Sequence, residues 1–163
     1  MKDLVDSKTS ELLRLYADLL KELANRKIVR SANNPVAGVG EYLVARALEL
    51  KPAPLSTKGY NATDSKGKKY EIKSRRLTQN NQSRMLSAIR ECKLAHFDFM
   101  VGVLFNEDFS LYKGCLIPHS VVLQKATFKK HVNAHILELD DTLWNCEGVI
   151  DITKKLRNVF GAL

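Results

Sequence analysis

The run Phe97-Asp98-Phe99-Met100-Val101-Gly102-Val103-Leu104-Phe105 is almost continuously apolar and rich in residues that favour strands. A strand of that kind does not alternate polar and apolar faces, so both its sides must be covered. It therefore predicts a central strand in a sheet with helices on its faces. The neighbouring patterns supply the covers. Leu12, Leu15, Tyr16, Leu19, Leu20 and Leu23 recur at helical spacing between Ser7 and Asn25, which predicts an amphipathic helix. Val39, Leu43, Ala47 and Leu50 predict a second helix over 39–50, after the breaker Ser31-Ala-Asn-Asn-Pro35 and before Pro52 and Pro54. Thr57–Thr63 and Lys69–Ser74 predict two strands joined by the turn Asp64-Ser65-Lys66-Gly67. A short helix is expected over 84–94, a strand over 109–117, a helix over 120–125 and a closing helix over 151–160. The stretch 135–139 has no clear period. At 163 residues without an internal repeat or linker, the chain is read as one α/β domain, 1–163, with a mixed central sheet flanked by helices.

Charge separates the segments. Residues 58–93 hold ten basic and three acidic residues, a net of +7 in a chain whose total is +8. Positive charge concentrated in one segment is the electrostatic footprint of a polyanion, the alternative being a solvated surface. No apolar run approaches the roughly 18–20 residues that span a bilayer, so no membrane partner is expected. MKDLVDSK places acids where a signal peptide needs basic residues and then an apolar stretch; a cytoplasmic protein is expected. Cys92, Cys115 and Cys146 are odd in number, widely spaced and without a CxxC pair. They read as reduced, mostly buried thiols.

One of the three acids in the basic segment lies in Tyr70-Glu71-Ile72-Lys73-Ser74. Side chains two apart on a strand share a face, so Glu71 and Lys73 point together. A carboxylate beside an ammonium suits metal-assisted phosphodiester hydrolysis, the carboxylate holding a cation and the lysine handling water or phosphate charge. Glu and Lys also alternate on many exposed strands, so the triplet alone is weak.

Gly59-Tyr60-Asn61-Ala62-Thr63-Asp64, a glycine-containing turn and then Glu71-Ile72-Lys73-Ser74-Arg75-Arg76 resemble the hairpin of the PD-(D/E)XK nuclease superfamily. Gly40-Glu41 resembles the extra upstream glutamate of many such enzymes. The stretches from Arg75 to Arg90, FDFMVGVLFNEDF and Ile117-Pro118-His119 resemble small bacterial members. The resemblance covers about residues 38–122. It implies a restriction-endonuclease-like core and Mg²⁺-dependent (or Mn²⁺-dependent) hydrolysis of DNA, double-stranded, with catalytic Glu71, Lys73, Asn61 and Glu41. It places Glu71, Asn61, Asp64 and Ile72 around the metal, and Arg75, Arg76, Arg84, Lys68 and Lys69 on phosphates. A homodimer is expected of a small nuclease that cuts both strands.

One departure limits this. The family's metal-binding aspartate stands ten residues before the glutamate, and here that position is Asn61. An amide brings no negative charge, so Mg²⁺ affinity should fall. Asp64 is a substitute, or it merely caps its turn. The chain is otherwise a weak or inactive natural member, or one carrying an isosteric inactivating replacement. The competing function is a non-catalytic nucleic-acid-binding module on the same fold; a third is a structural protein whose basic segment meets an acidic partner. Glu41, predicted near a helix N-terminus, also suits the helix dipole in any protein. Gln79-Asn80-Asn81-Gln82-Ser83 reads as a plain polar loop whose amides are alternatively base readers. His131 and His135 are four apart, yet β-prone neighbours and the absence of a nearby cysteine speak against zinc. His119 is expected to cap or pack, and Trp144 to lie in the core or an interface.

Overall fold

The structure, a computed structural model, describes residues 4–31 and 33–163. Its strands are β1 (Lys51–Pro52), β2 (Ala62–Thr63), β3 (Lys69–Arg76), β4 (Phe99–Phe105), β5 (Leu111–Pro118), β6 (Thr127–Lys129), β7 (Ala134–Ile136) and β8 (Ile150–Asp151). Six of them form one sheet in the order β1-β2-β3-β4-β5-β8, while β6 and β7 make a separate ribbon. Only the β3–β4 pairing is parallel within that sheet. The helices are α1 (Thr9–Asn25), α2 (Val36–Ala47), α3 (His119–Lys125) and α4 (Thr153–Phe160). Among the described residues, no helix is long and apolar enough to cross a membrane.

The apolar run is the central strand, and both its faces are covered. Val101, Val103 and Phe105 join Tyr70 and Ile72 of β3 in a core closed by Val39, Leu43 and Val44 of α2 and Leu156 of α4. Met100 and Leu104 face the opposite way, into a core with Leu86, Ile89, Val121, Val122, Leu137 and Leu139. Register carries this parity to β3. Glu71 stands beside Met100, Lys73 beside Gly102 and Arg75 beside Leu104, whereas Ile72 stands beside Val101 and Arg76 beside Phe105. Glu71, Lys73 and Arg75 thus share the face away from α2.

Three sequence expectations change. The second helix begins at Val36 rather than Val39, because the Asn34 side-chain oxygen accepts from the Val36 N–H at 3.1 Å and Pro35 stands at the cap. Glu41 therefore sits inside the helix, not at its dipole end. The strand expected over 57–63 shrinks to Ala62–Thr63, since Ser56 and Gly59 take positive φ (63° and 86°) and turn the backbone. The helix expected over 84–94 does not form. Its backbone pairs instead with residues 135–139: Leu86 N–H donates to Leu137 O, Ile89 exchanges two bonds with His135, and Leu139 N–H donates to Arg84 O. Leu86 and Ile89 are buried by that pairing, and only Cys92–Leu94 coils, as a 3₁₀ turn between left-handed Glu91 and Ala95.

Gly40 sets how closely α2 approaches the sheet. A Cβ there would overlap the Ser74 side chain, standing 2.9 Å from its Cβ. Alanine favours helix over glycine by about 0.5–1 kcal/mol, but this overlap outweighs it. Gly40→Ala is expected to lower stability by about 1–3 kcal/mol in urea unfolding, and Gly40→Ala with Ser74→Gly to recover most of the loss. An unchanged single variant would show that the approach is not tight.

Candidate nuclease-like site

The site residues divide between the two faces of β3. On the α2 side, one hydrogen-bonded chain links four residues. Arg30 donates to Ala53 O and to Glu41 Oε2, both at 2.7 Å. Glu41 Oε1 accepts from Asn61 Nδ2 at 3.0 Å, and Asn61 Oδ1 accepts from the Ile72 N–H at 2.7 Å. The Asn61 side chain therefore takes the place of a backbone carbonyl where β2 and β3 separate. Its own N–H donates to Tyr70 O and its own carbonyl accepts from Ala53. Ile72 contributes a buried side chain to the core. Beside this chain opens a cavity of about 280 Å³ lined by Arg30, Glu41, Tyr42, Arg46, Asn61 and Ile72 among others.

On the opposite face, Lys73 Nζ lies 3.1 Å from Glu71 Oε1, and the two side chains are only 11% and 18% exposed. Lys73 also donates to Ser87 Oγ at 3.2 Å. Glu71 and Ser87 line a groove of about 410 Å³ together with Lys58, Arg90, His96 and Phe97. At its rim the Glu91 carboxylate lies 2.7 Å from Lys58 Nζ and 3.1 Å from His96 Nε2. The Lys58 hydrogen bond, then that of His96, holds this carboxyl below the ordinary glutamate range. Gly59 is required here twice, by its positive φ and because a Cβ would collide with the Cβ of His96.

Asp64 is not brought to Glu71. Its Oδ1 accepts from the Lys66 and Lys68 N–H groups at 2.9 Å and its Oδ2 from the Tyr70 hydroxyl at 3.2 Å. Desolvation pushes this carboxyl upward, yet the backbone donors of Lys68 and Lys66 outweigh it and hold it below the ordinary aspartate range. Burial and the Asp64 charge push the Tyr70 hydroxyl up to about 12. Asp64 serves its turn.

Nor do the five expected phosphate contacts form one row. Arg75 and Arg76 leave β3 on opposite faces. Arg75 is fixed to Met85 O and Asn81 Oδ1, and the Arg76 guanidinium lies 4.7 Å from the Phe109 ring centre. Arg84 pairs with Asp141 and donates to the Tyr112 hydroxyl. Lys68 pairs with Asp98 at 2.9 Å, and Lys69 lies over the Tyr60 ring. The cations lining the groove are Lys58 and Arg90. Lys58, Ser87, Glu91, His96 and Arg30 are the residues that motif reasoning missed. Of these, Lys58 and Glu91 carried a sign, as one of the ten basic and one of the three acidic residues of the basic segment.

The remaining readings fall into place locally. His119 Nε2 lies 2.7 Å from Cys92 O and its ring meets the edge of Phe97. His135 lies on β7 with its ring against Phe128. Lys113 sits over the Trp144 ring. Asn81 accepts from Arg75, and Gln82 donates to Thr78 O, so the amide loop braces itself. Cys92 and Cys115 are buried and free, and Cys146 is half-buried and free.

These residues do not fit a tightly held divalent cation. Among the described residues, no three His, Cys, Asp or Glu side chains converge as a metal group. Asn61 turns its oxygen to the backbone and its amide nitrogen to Glu41, whose other oxygen is held by Arg30. The positive ends that a cation would supply are already present. No family model matches the chain, and no curated protein matches it.

Asn61→Asp removes the amide donor and sets two carboxylates about 3 Å apart, which raises the titration of the pair above its unfolded value. A folded-state pKa raised in this way gives stability that is present at low pH and lost as pH rises through it. The variant is expected to lose about 1–3 kcal/mol relative to the parent at neutral pH and to regain it at mildly acidic pH or with Mg²⁺ or Mn²⁺. Thermal unfolding across pH, with and without metal, checks this; identical profiles for the two proteins would count against the direct contact.

Proposed function

We propose that the chain is a DNA-binding protein built on the PD-(D/E)XK endonuclease plan. Glu71 and Lys73 are its hydrolytic pair, duplex DNA is its substrate class, and Asn61 weakens cleavage while leaving binding in place. The observation that carries this reading is that the Glu71–Lys73 pair is largely withdrawn from solvent, in a strand otherwise ending in cations. A surface Glu–Lys alternation stays hydrated, whereas burying an ion pair opposes folding unless other groups compensate it. Here Ser87 holds the ammonium, and Glu71 opens onto a groove edged by Lys58 and Arg90. An ammonium fixed there neutralises charge developing on a phosphate, and the carboxylate orients an attacking water. Metal chemistry in this family is supplied by a carboxylate set that Asn61 leaves one short. Cytoplasmic residence belongs to the same reading, since free thiols persist in a reducing compartment.

The second reading, a binding module without catalysis, is favoured by one observation: the closed Arg30–Glu41–Asn61 chain satisfies the charges that a catalytic metal would otherwise balance.

Nicking of supercoiled plasmid distinguishes the two. Asn61→Asp is expected to cleave with Mg²⁺ or Mn²⁺ at least tenfold faster than the parent, about 1.4 kcal/mol of barrier. Adding Lys73→Ala or Glu71→Gln to it is expected to abolish cleavage. Both forms should bind duplex DNA with an affinity that falls steeply with salt. Salt-dependent binding without cleavage in either form leaves the second reading standing, and absence of binding removes both.

A further inference from the structure

We propose that α1 is a self-association arm, whose exposed leucine stripe pairs antiparallel with the same stripe of a second copy of this chain. The inference is independent of cleavage and of DNA binding. An amphipathic helix ordinarily spends its apolar face on the core of its own domain, and α1 does so only at its C-terminal end. Leu20 is its one buried residue, and Leu23 packs against the α2-side core. The preceding turns leave Leu12 37%, Leu15 44%, Tyr16 51% and Leu19 55% exposed, with Leu13 at 64%.

Leu12, Leu15, Tyr16 and Leu19 follow i, i+3, i+4, i+7 and so form a single stripe along the helix, with Leu13 at its edge one turn before Tyr16. The stripe is symmetric about the midpoint between Leu15 and Tyr16. A two-fold axis through that point, perpendicular to the helix, sets Leu12 against Leu19 of the second copy and Leu15 against its Tyr16. An isologous contact requires such self-complementarity.

Charge selects this occupant over the others. Away from the stripe, α1 carries Glu11, Arg14, Asp18, Lys21 and Glu22, with signs that largely alternate and a net of −1. An interfacial membrane helix needs a basic polar face against anionic lipid, and a nucleic-acid arm needs the same against phosphate. Neither is present, and a near-neutral helix approaches its own copy without repulsion. Extent agrees as well. With each half-exposed large side chain counted as roughly 80–100 Å², the five α1 side chains present on the order of 450 Å² per copy, a contiguous patch of the size that marks interaction sites. Pairing two such patches buries about 900 Å², with the flanking polar side chains adding to it, which suits a weak, reversible dimer.

Sedimentation equilibrium of the full chain tests this. The parent is expected at twice the monomer mass, and Leu12→Glu with Leu19→Glu at the monomer mass, a twofold loss with unchanged far-ultraviolet circular dichroism. In a Cys146→Ser background, Tyr16→Cys beside the axis is expected to give a disulfide-linked dimer under mild oxidation, and Asp18→Cys on the polar side to give none. A monomeric parent overturns the proposal, as does a dimer that survives the double Glu substitution. Co-sedimentation of a monomeric parent with phosphatidylglycerol vesicles overturns it in favour of a membrane surface. Plasmid nicking is read separately, so failure of the arm and failure of the hydrolytic site are told apart.

Discussion

Two-sided burial of β4 is the constraint on which the site depends. A strand covered on both faces holds its neighbours in fixed register, and β3 inherits its parity through seven successive parallel partners. Glu71, Lys73 and Arg75 are then committed to one side of the sheet, and Ile72 with Arg76 to the other. Glu41 approaches from α2, on the Ile72 side. The residues that one motif gathers in sequence are thus delivered to opposite faces, Glu41 and Asn61 to one and Glu71 and Lys73 to the other. Asn61 stands where β2 separates from β3, bonded to the Ile72 N–H.

This placement explains why a single amide matters so much. Asn61 satisfies a β3 backbone N–H with its oxygen and a helix carboxylate with its nitrogen. The amide is the one side chain of that size with both a donor and an acceptor at its tip. An aspartate keeps the acceptor and loses the donor, leaving Glu41 with Arg30 alone against two carboxylates. The hydrogen-bond pattern favours amide at this position, and any metal ligation here competes with bonds that already hold strand to helix.

Much of the fold was legible because hydrophobic period reports burial directly. The apolar run gave the central strand, the 3.6-residue spacing gave α1 and α2, and the turn chemistry of Asp64 through Gly67 gave the hairpin. The start of α2 and the shortening of the 57–63 strand follow local caps and turns, but the lost 84–94 helix has a different cause, which is pairing between segments remote in sequence. Leu86, Ile89 and Cys92 recur every three residues as a helix would, but their backbone bonds go to residues 135–139. Nothing local to 84–94 announces that partner. The Glu71–Lys73 pair was legible for the opposite reason, since two-residue spacing on a strand fixes a shared face without any distant information. Arg30, Ser87 and His96 carry no such internal rule, and only tertiary approach gives them their neighbours. α1 makes a further case: its period announces an apolar face, but not that most of the face stays uncovered.

The basic segment was the strongest compositional sign of a polyanion partner, and its resolution into pairs changes what that sign means. Lys68, Arg76 and Arg84 are held against Asp98, Phe109 and Asp141 with Tyr112, and Arg75 is braced on loop backbone. Neighbouring acids spend part of this charge, and what is left is held in place instead of sweeping freely. Fixed cations bind a phosphate backbone with less ordering entropy than mobile ones, yet only where their spacing matches it. The groove that holds Glu71 brings together Lys58 and Arg90, from the two ends of the basic segment, but also Glu71 and Glu91, and Lys58 is paired with Glu91 at 2.7 Å. The linear count of charge therefore overstates the free positive charge the folded surface presents, because the fold sets acids from inside and outside the segment against its cations.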